Sequence, residues 1–331
     1  MAETVTARAP LRISLAGGGT DIPSYSSRHG GLVIGCAIDR YVGVTVHPRE
    51  FQGKLRAATD TCALVDRADQ HPDPMVRACL LSAGLRRDCQ VATFSDVPSG
   101  SGLGGSAALA VSLLHAAAHA RTPPARELAE SASRIEIADL GRAVGKQDHY
   151  MAAYGGIRML RIDRSGHVEP EPLDLDPGVR DALQSRLMLF YTGISRDAGD
   201  ILSEQNRRTL EGHSDALERL HGIRRIADDM ADCLRKGDID GVGGLVEEHW
   251  RLKSRLGSRV SSPWLQEQHD RALAAGAVGG KLLGSGGGGF LLLVAGAGRQ
   301  DAVRHAMTGA GLTELPFRFT GSGSASAALP L

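Results

Sequence analysis

The chain is short of several things, and each scarcity narrows what it can be. Only 4% of its 331 residues are aromatic, and its five cysteines lie at 36, 62, 79, 89 and 233. An odd number of cysteines with no C-x-x-C pair argues against a disulfide framework or a zinc ribbon and predicts a reducing compartment. Neither sign of charge is in excess, since 38 Lys and Arg balance 38 Asp and Glu. A nucleic-acid binder shows a basic excess or stripe, so no nucleic-acid partner is expected. No apolar run approaches the ~18 residues of a membrane span. Met1-Ala2-Glu3-Thr4 does not open the charged-then-apolar pattern of a leader. A soluble, cytoplasmic protein with no membrane partner is expected.

Glycine, by contrast, is abundant at 42 residues. The densest run is Pro98-Ser99-Gly100-Ser101-Gly102-Leu103-Gly104-Gly105-Ser106-Ala107-Ala108. Residues 91–95 before it are β-branched, aromatic and small, which predicts a strand. Residues 107–120 after it are rich in Ala and Leu without Gly or Pro, which predicts a helix. A glycine turn feeding a helix N-terminus leaves backbone N–H groups unpaired, at the positive end of the helix dipole. Such a place favours phosphate. Pro98, Gly100, Ser101, Gly102, Leu103, Gly104, Gly105 and Ser106 are therefore the candidate anion-binding residues.

Other glycine patterns fit less well. Gly100, Gly102 and Gly105 match G-x-G-x-x-G, as do Gly284, Gly286 and Gly289. The dinucleotide fingerprint also wants an early βαβ unit and an acid at a strand end about 20 residues on. Glu127 instead follows Pro123-Pro124 at a helix start. Gly145-Lys146 and Gly280-Lys281 continue with Gln147 and Leu282, so neither completes a P-loop. His115 and His119 have a spacing that metals accept, but no third ligand accompanies them, and helix packing is the expected role.

Along the chain, alternation predicts strands at 11–15, 32–38 and 41–47, with a further strand and loop over 50–66. Helices are expected at 73–83, 126–140, 197–209, 216–234, 239–252 and 263–275. Strands are expected at 157–162, 187–191, 278–283 and 290–294, with Phe317 and Phe319 in a last one. At this length two domains are expected. The Pro-rich acidic stretch 169–177 places the boundary, giving 1–172 and 173–331.

Three separated stretches, in this order, resemble the motifs of the GHMP kinases over nearly the whole chain. They are Ala9-Pro10-Leu11-Arg12-Ile13-Ser14-Leu15-Ala16-Gly17-Gly18-Gly19-Thr20-Asp21, the run at 98–108, and the glycine loop at 284–289. The family's second motif reads P-x-G-x-G-L-G-S-S-A-A; here Gly105 replaces the first paired serine and Ser106 keeps the second. The resemblance implies an α+β fold of two domains, the N-terminal one ribosomal-protein-S5-like and the C-terminal one ferredoxin-like, with the site between them. It implies ATP in the 98–106 loop and Mg²⁺ held by Ser106 and Glu136. It makes Asp148 the group that accepts the acceptor's proton or orients its hydroxyl, with Arg12 paired to it and Lys146 on a phosphate. Gly18, Gly19, Thr20 and Asp21 would meet sugar hydroxyls. Arg196 and Lys281, with Gly286 and Gly287, would hold the rest of a phosphorylated acceptor.

Gly17-Gly18-Gly19-Thr20-Asp21, where galactokinases have Gly-Glu-His-Thr-Asp, is similar to the heptose 7-phosphate kinase branch. So are Gly145-Lys146-Gln147-Asp148 and the stretch from Phe190 to Arg196. Fucokinase-type sugar kinases come next. The implied reaction moves the γ-phosphoryl group of ATP to the anomeric hydroxyl of D-glycero-D-manno-heptose 7-phosphate. The chain departs from the branch at Gly105, at His149, where Gln is usual, and at Ser285, where Ala is usual. Another GHMP sugar kinase is the first alternative. A nicotinamide-dinucleotide oxidoreductase and a non-catalytic sugar-binding relative are the remaining ones; the intact set of Ser106, Glu136 and Asp148 argues against the last. A homodimer is compatible with the sequence.

Overall fold

Two long antiparallel strands, β1 (Thr4–Ala16) and β2 (Gly31–Pro48), form the spine of the computed structural model. The structure describes residues 3–49, 52–59, 61–118, 121–194, 198–257 and 259–329. The first sheet adds β3 (Leu55–Ala58), β4 (Cys62–Val65), β5 (Cys89–Ser95), β6 (Ile157–Ile162) and β7 (Val168–Pro172). The 32–38 and 41–47 strands expected from sequence are one element. Between Pro10 and Leu11 the partner on β2 jumps from Tyr41 to Ile38, so Asp39 and Arg40 form a bulge that bends β2 without ending it. The two halves of β2 then face different neighbours, β6 along its first half and β5 along its second.

The second sheet contains β8 (Leu187–Tyr191), β9 (Ala277–Leu282), β10 (Phe290–Ala295) and the short β11 (Thr313–Glu314), in the order β11-β8-β10-β9. The chain then returns to the first sheet. β12 (Ala325–Leu329) pairs with the outer edge of β1. The strand expected around Phe317 and Phe319 is not formed; Phe319 makes a single bridge to Ile38 at the β2 bulge. Among the described strands only β3 and β5 run parallel. A doubly wound dinucleotide-binding sheet is mostly parallel, so that alternative loses its frame.

The helices are α1 (Pro23–His29), α2 (Pro74–Ser82), α3 (Gly105–Ala117), α4 (Ala125–Arg134), α5 (Gln147–Tyr154) and α6 (Pro177–Arg186), then α7 (Ala198–Leu210), α8 (Ser214–Lys236), α9 (Ile239–Lys253), α10 (Pro263–Ala274) and α11 (Gln300–Gly309). Alternation on the second sheet sorts its side chains into two layers. Leu189, Leu292 and Val294 join Ile226, Met230, Val242 and Val246 of α8 and α9 in a core continuous with Leu11, Ile13 and Ile34 of the first sheet. Met188, Phe190, Leu291 and Leu293 face the other way, onto Leu265, Val303 and Met307 of α10 and α11. This shared core fixes the two sheets against each other and leaves one cleft where their glycine loops meet. All five cysteines are free thiols. No described helix is long and apolar enough to cross a membrane.

Candidate active site

The cleft has a volume of about 760 Å³ and is lined from both sheets. Its floor is the 98–106 loop. Gly104, in the left-handed region at φ 80°, is the N-cap of α3 and offers no side-chain hydrogen bond. The first bond of the helix runs from the Ala108 N–H to the Gly104 carbonyl. The amides of Gly105, Ser106 and Ala107 therefore have no partner within the helix, and Gly104, Gly105 and Ser106 line the cleft. A Cβ on Gly105 would meet nothing within 4 Å, so the departure from serine leaves open space there.

The glycines at 102 and 284 are required by contact between loops. A Cβ on Gly102 would stand 2.7 Å from the Leu283 carbonyl oxygen, and one on Gly284 would stand 2.6 Å from the Gly102 Cα. The two backbones thus pack directly on each other. The Phe290 N–H donates to the Ser101 carbonyl at 3.1 Å, which locks the 98–106 loop to the second sheet.

Arg12 on β1 reaches across to Asp148 in the first turn of α5. Its Nε and Nη2 donate to Oδ1 and Oδ2, both at 2.7 Å, and its Nη1 donates to the Gly102 carbonyl at 2.6 Å. This two-pronged pair fixes the carboxylate plane and ties it to the loop. The Arg12 side chain is 5% exposed, but that of Asp148 is 26% exposed, open to the cleft.

Asp21 is a hinge between the first motif and α5. Its carboxylate accepts from the Gly19 N–H at 3.1 Å and from the Gln147 N–H at 3.0 Å. Burial raises its pKa; the Gln147 N–H bond opposes this and the charge of Asp148 adds to it. Gly145 makes the approach possible, since a Cβ there would lie 1.9 Å from the Asp21 Oδ2.

Glu136 is aimed by a local irregularity. After α4 the chain widens into a π-helical turn, Ile135–Asp139, which buries Ile135 and Glu136; such turns commonly sit at functional positions. Ser106 Oγ donates to Glu136 Oε1 at 3.0 Å, Arg142 Nη1 donates to the same oxygen at 2.9 Å, and His149 Nε2 meets Oε2 at 2.9 Å. Burial alone would raise the Glu136 carboxyl, but the bonds and charge of His149 and Arg142 outweigh it and hold the pKa down at about 2.

Not every residue expected in the site lies there. Lys146 turns away: its Nζ donates to Glu130 Oε2 at 2.9 Å and to the Gly166 carbonyl at 2.8 Å, beside a separate surface recess. Thr20 is fully buried, its hydroxyl bonded to the Gly17 and Leu32 carbonyls, and it closes the turn rather than facing the cleft. Leu103 is buried and gives its carbonyl to the Arg12 N–H. Pro98 and Gly287 flank the lining without joining it, and the Gly287 N–H bonds the Val260 carbonyl. Gly18, Gly19, Asp21, Gly100, Ser101, Gly102, Gly286 and Lys281 do line it. Arg196 lies outside the described residues, as does His119. His115 meets Ser324, just before β12, and Ser326 within it at 2.8 and 3.0 Å, the expected packing role.

Sequence reasoning missed Arg142, His249 and Lys253 as lining residues. Lys253 ends an amphipathic helix, where a lysine normally marks only the helix C-terminus. Lys281 was expected, but it is more enclosed than expected: at 1% exposure its Nζ donates to the Leu15 carbonyl at 2.9 Å and lies 3.0 Å from His249 Nδ1. Burial and the nearby positive charges of Lys253 and Arg12 push its pKa well down.

Known proteins resemble the chain over most of its length. The family model for the GHMP kinases N terminal domain matches residues 74–156, and that for the GHMP kinases C terminal matches residues 230–313. A D-glycero-alpha-D-manno-heptose 7-phosphate kinase of Campylobacter jejuni is 32% identical over 302 residues, 87% of this chain and 88% of that protein. An L-fucokinase/L-fucose-1-P guanylyltransferase of Bacteroides fragilis is 28% identical over 91% of this chain, which spans 35% of that longer protein. A crystal structure titled as a D-glycero-D-manno-heptose 1-phosphate kinase from Bacteroides thetaiotaomicron superposes with a TM-score of 0.80 at 26% identity, covering 99% of this chain and 100% of that one. These likenesses define the class, a phosphotransferase with an alcohol group as acceptor. The chain belongs to the GHMP kinase family.

Proposed function

We propose that the chain transfers the γ-phosphoryl group of ATP to the anomeric hydroxyl of D-glycero-D-manno-heptose 7-phosphate, in the cleft between domains 1–172 and 173–331. The observation that carries the reading is the Arg12–Asp148 pair, open to the cleft and bonded to the same loop that presents the uncapped start of α3. Phosphoryl transfer asks for position and charge neutralisation more than for covalent chemistry. The start of α3 supplies amides for the triphosphate. The exposure of Asp148 to the cleft supports its role in accepting the acceptor's proton. An anomeric hydroxyl is more acidic than an ordinary alcohol, so a carboxylate suffices.

Mg²⁺ fits the residues present. Ser106 Oγ and Glu136 Oε1 are adjacent hard oxygens, and Glu136 is held ionised by His149 and Arg142, whose Nη1 shares Oε1 and would give way to the ion. No cluster of three or more His, Cys, Asp or Glu side chains suited to a metal exists among the described residues. Mg²⁺ takes few protein ligands and completes its shell with phosphate and water. When bound there, Mg²⁺ would neutralise phosphate charge.

The choice of heptose 7-phosphate rests on likeness to the Campylobacter protein, and the Bacteroides fragilis relative supports fucose as the rival acceptor. A coupled ADP-release assay with ATP and Mg²⁺ decides between them. The panel is D-glycero-D-manno-heptose 7-phosphate, sedoheptulose 7-phosphate, mannose, fucose and galactose. Turnover confined to the heptose phosphate supports the proposal; turnover with a free sugar in its place overturns the acceptor.

A further inference from the structure

The positive groups at the cleft divide by partner. Arg12 is matched by Asp148 and Arg142 by Glu136, while Lys146, outside the cleft, is matched by Glu130. Lys281 is enclosed against Leu15 and His249. Lys253 differs from all of these. Like Lys281 it lines the cleft with no carboxylate oxygen within 4 Å among the described residues, but it is half-buried where Lys281 is enclosed. Its Nζ donates to the Leu282 carbonyl at 3.3 Å and to the Gly284 carbonyl. An ammonium has three donors, so one remains for the cleft.

The position of this charge is specific. Lys253 holds the Gly284 carbonyl, Gly284 packs on Gly102, and the Gly102 carbonyl is bonded by Arg12, which grips Asp148. This short chain of contacts sets Lys253 on the seam between the phosphate-binding loop and the acceptor carboxylate. Burial and the charge of Arg12 lower the Lys253 pKa to about 8, against an opposing pull from Asp148. A partly buried ammonium with no carboxylate beside it is stabilised by an anion in the cleft.

We infer that Lys253 is a catalytic residue of the phosphoryl transfer, donating to an equatorial oxygen of the group in flight. The inference rests on the kinase reading and adds a member to its machinery. In the step, the acceptor oxygen forms its bond to γ-phosphorus while the bond to the β–γ bridging oxygen breaks. ADP leaves with that electron pair, and the acceptor's proton passes to Asp148. Lys253 forms no covalent bond; its charge matters most as the three equatorial oxygens separate from both ends.

The test compares the whole protein with Lys253→Met and Lys253→Arg. Affinity is measured for Mg·ADP and for Mg·ADP with fluoroaluminate, which mimics the group in flight, alongside kcat and KM for ATP. Lys253→Met is expected to keep ADP affinity within about twofold, to weaken the fluoroaluminate complex by about tenfold or more, and to lower kcat about 100-fold with little change in KM for ATP. Lys253→Arg is expected to recover part of both losses. Equal weakening of ADP and of its fluoroaluminate complex would reduce Lys253 to a staple for the Gly284 loop, and unchanged affinity for both would remove it from the mechanism. The binding comparison needs no sugar. A wild-type protein that turns over no panel acceptor would thus defeat the acceptor assignment while the fluoroaluminate ratio still decided Lys253.

Discussion

Replacing Arg12 with methionine removes three hydrogen bonds in one step, two to Asp148 and one to the Gly102 carbonyl, while keeping most of the side-chain volume. Deleting one partner of a buried ion pair costs about 3–5 kcal/mol, because the other charge stays behind unpaired. Here Asp148 is 26% exposed, so water reaches its carboxylate and screens the loss; we expect about 2–3 kcal/mol of stability. The effect on rate is larger. Without the guanidinium fork the carboxylate loses its plane and its tie to the loop, and misplacement of about 1 Å lowers rate about 100-fold. Arg12→Lys keeps the charge but not the fork, and belongs between the two. The measurements are urea unfolding and coupled ADP release on Arg12→Met, Asp148→Asn and the double variant. If the two residues act as a unit, the double variant turns over about as slowly as Asp148→Asn alone. Fully additive losses in log kcat, or an Arg12→Met enzyme within about threefold of wild type, would refute the pairing as the basis of catalysis.

Three further perturbations read other parts of the account. Glu136 has its folded pKa depressed from 4.5 to about 2, so its contribution to stability is present above pH 4.5 and is lost as pH falls towards 2. A shift of that size corresponds to about 3 kcal/mol. Urea midpoints of wild type and Glu136→Gln should converge over this range, and parallel curves would show that His149 and Arg142 do not hold the carboxylate. Gly145→Ala drives a methyl into the Asp21 carboxylate; it should raise the acceptor KM and lower kcat while ADP affinity stays near wild type, and an unchanged acceptor KM would dissociate Asp21 from the acceptor side. His115→Ala removes the two serine contacts that clip β12 to α3. It should cost about 1–3 kcal/mol and speed proteolytic trimming near residue 324 with kcat unchanged; an unaltered digestion pattern would deny the clip.

Much of this arrangement was legible in the residues, for identifiable reasons. Strand, glycine turn and alanine-rich helix at 91–120 are local signals, and they place the start of α3 without tertiary information. Arg12 and Asp148 are 136 residues apart; only the resemblance joined them, and the structure shows the fork. The misreadings arise where a distant contact overrides a local pattern. Asp39-Arg40 look like a break between two strands, yet the bulge is held by the returning C-terminal segment, where the Asp39 N–H bonds the Arg318 carbonyl. Phe317 and Phe319 look like a strand by alternation, but that segment is spent on plugging the bulge, and pairing resumes only at β12. Lys146 sits two residues before Asp148 in sequence, but the turn into α5 sends it to Glu130 on α4. Lys253 is the reverse, an ordinary helix-end lysine brought to the centre by α9 packing against β9. The π-helical turn that aims Glu136 carries no glycine or proline to announce it.

The most direct test of the central claim is Asp148→Asn in the full chain, assayed by ADP release with the acceptor that the wild type uses and by ADP titration. Asparagine keeps the shape and one acceptor oxygen but cannot take the proton. The account predicts a loss in kcat of about 100-fold to 10,000-fold, with ADP affinity within about twofold of wild type because the 98–106 loop is untouched. An Asp148→Asn protein that still turns over at close to the wild-type rate would contradict it.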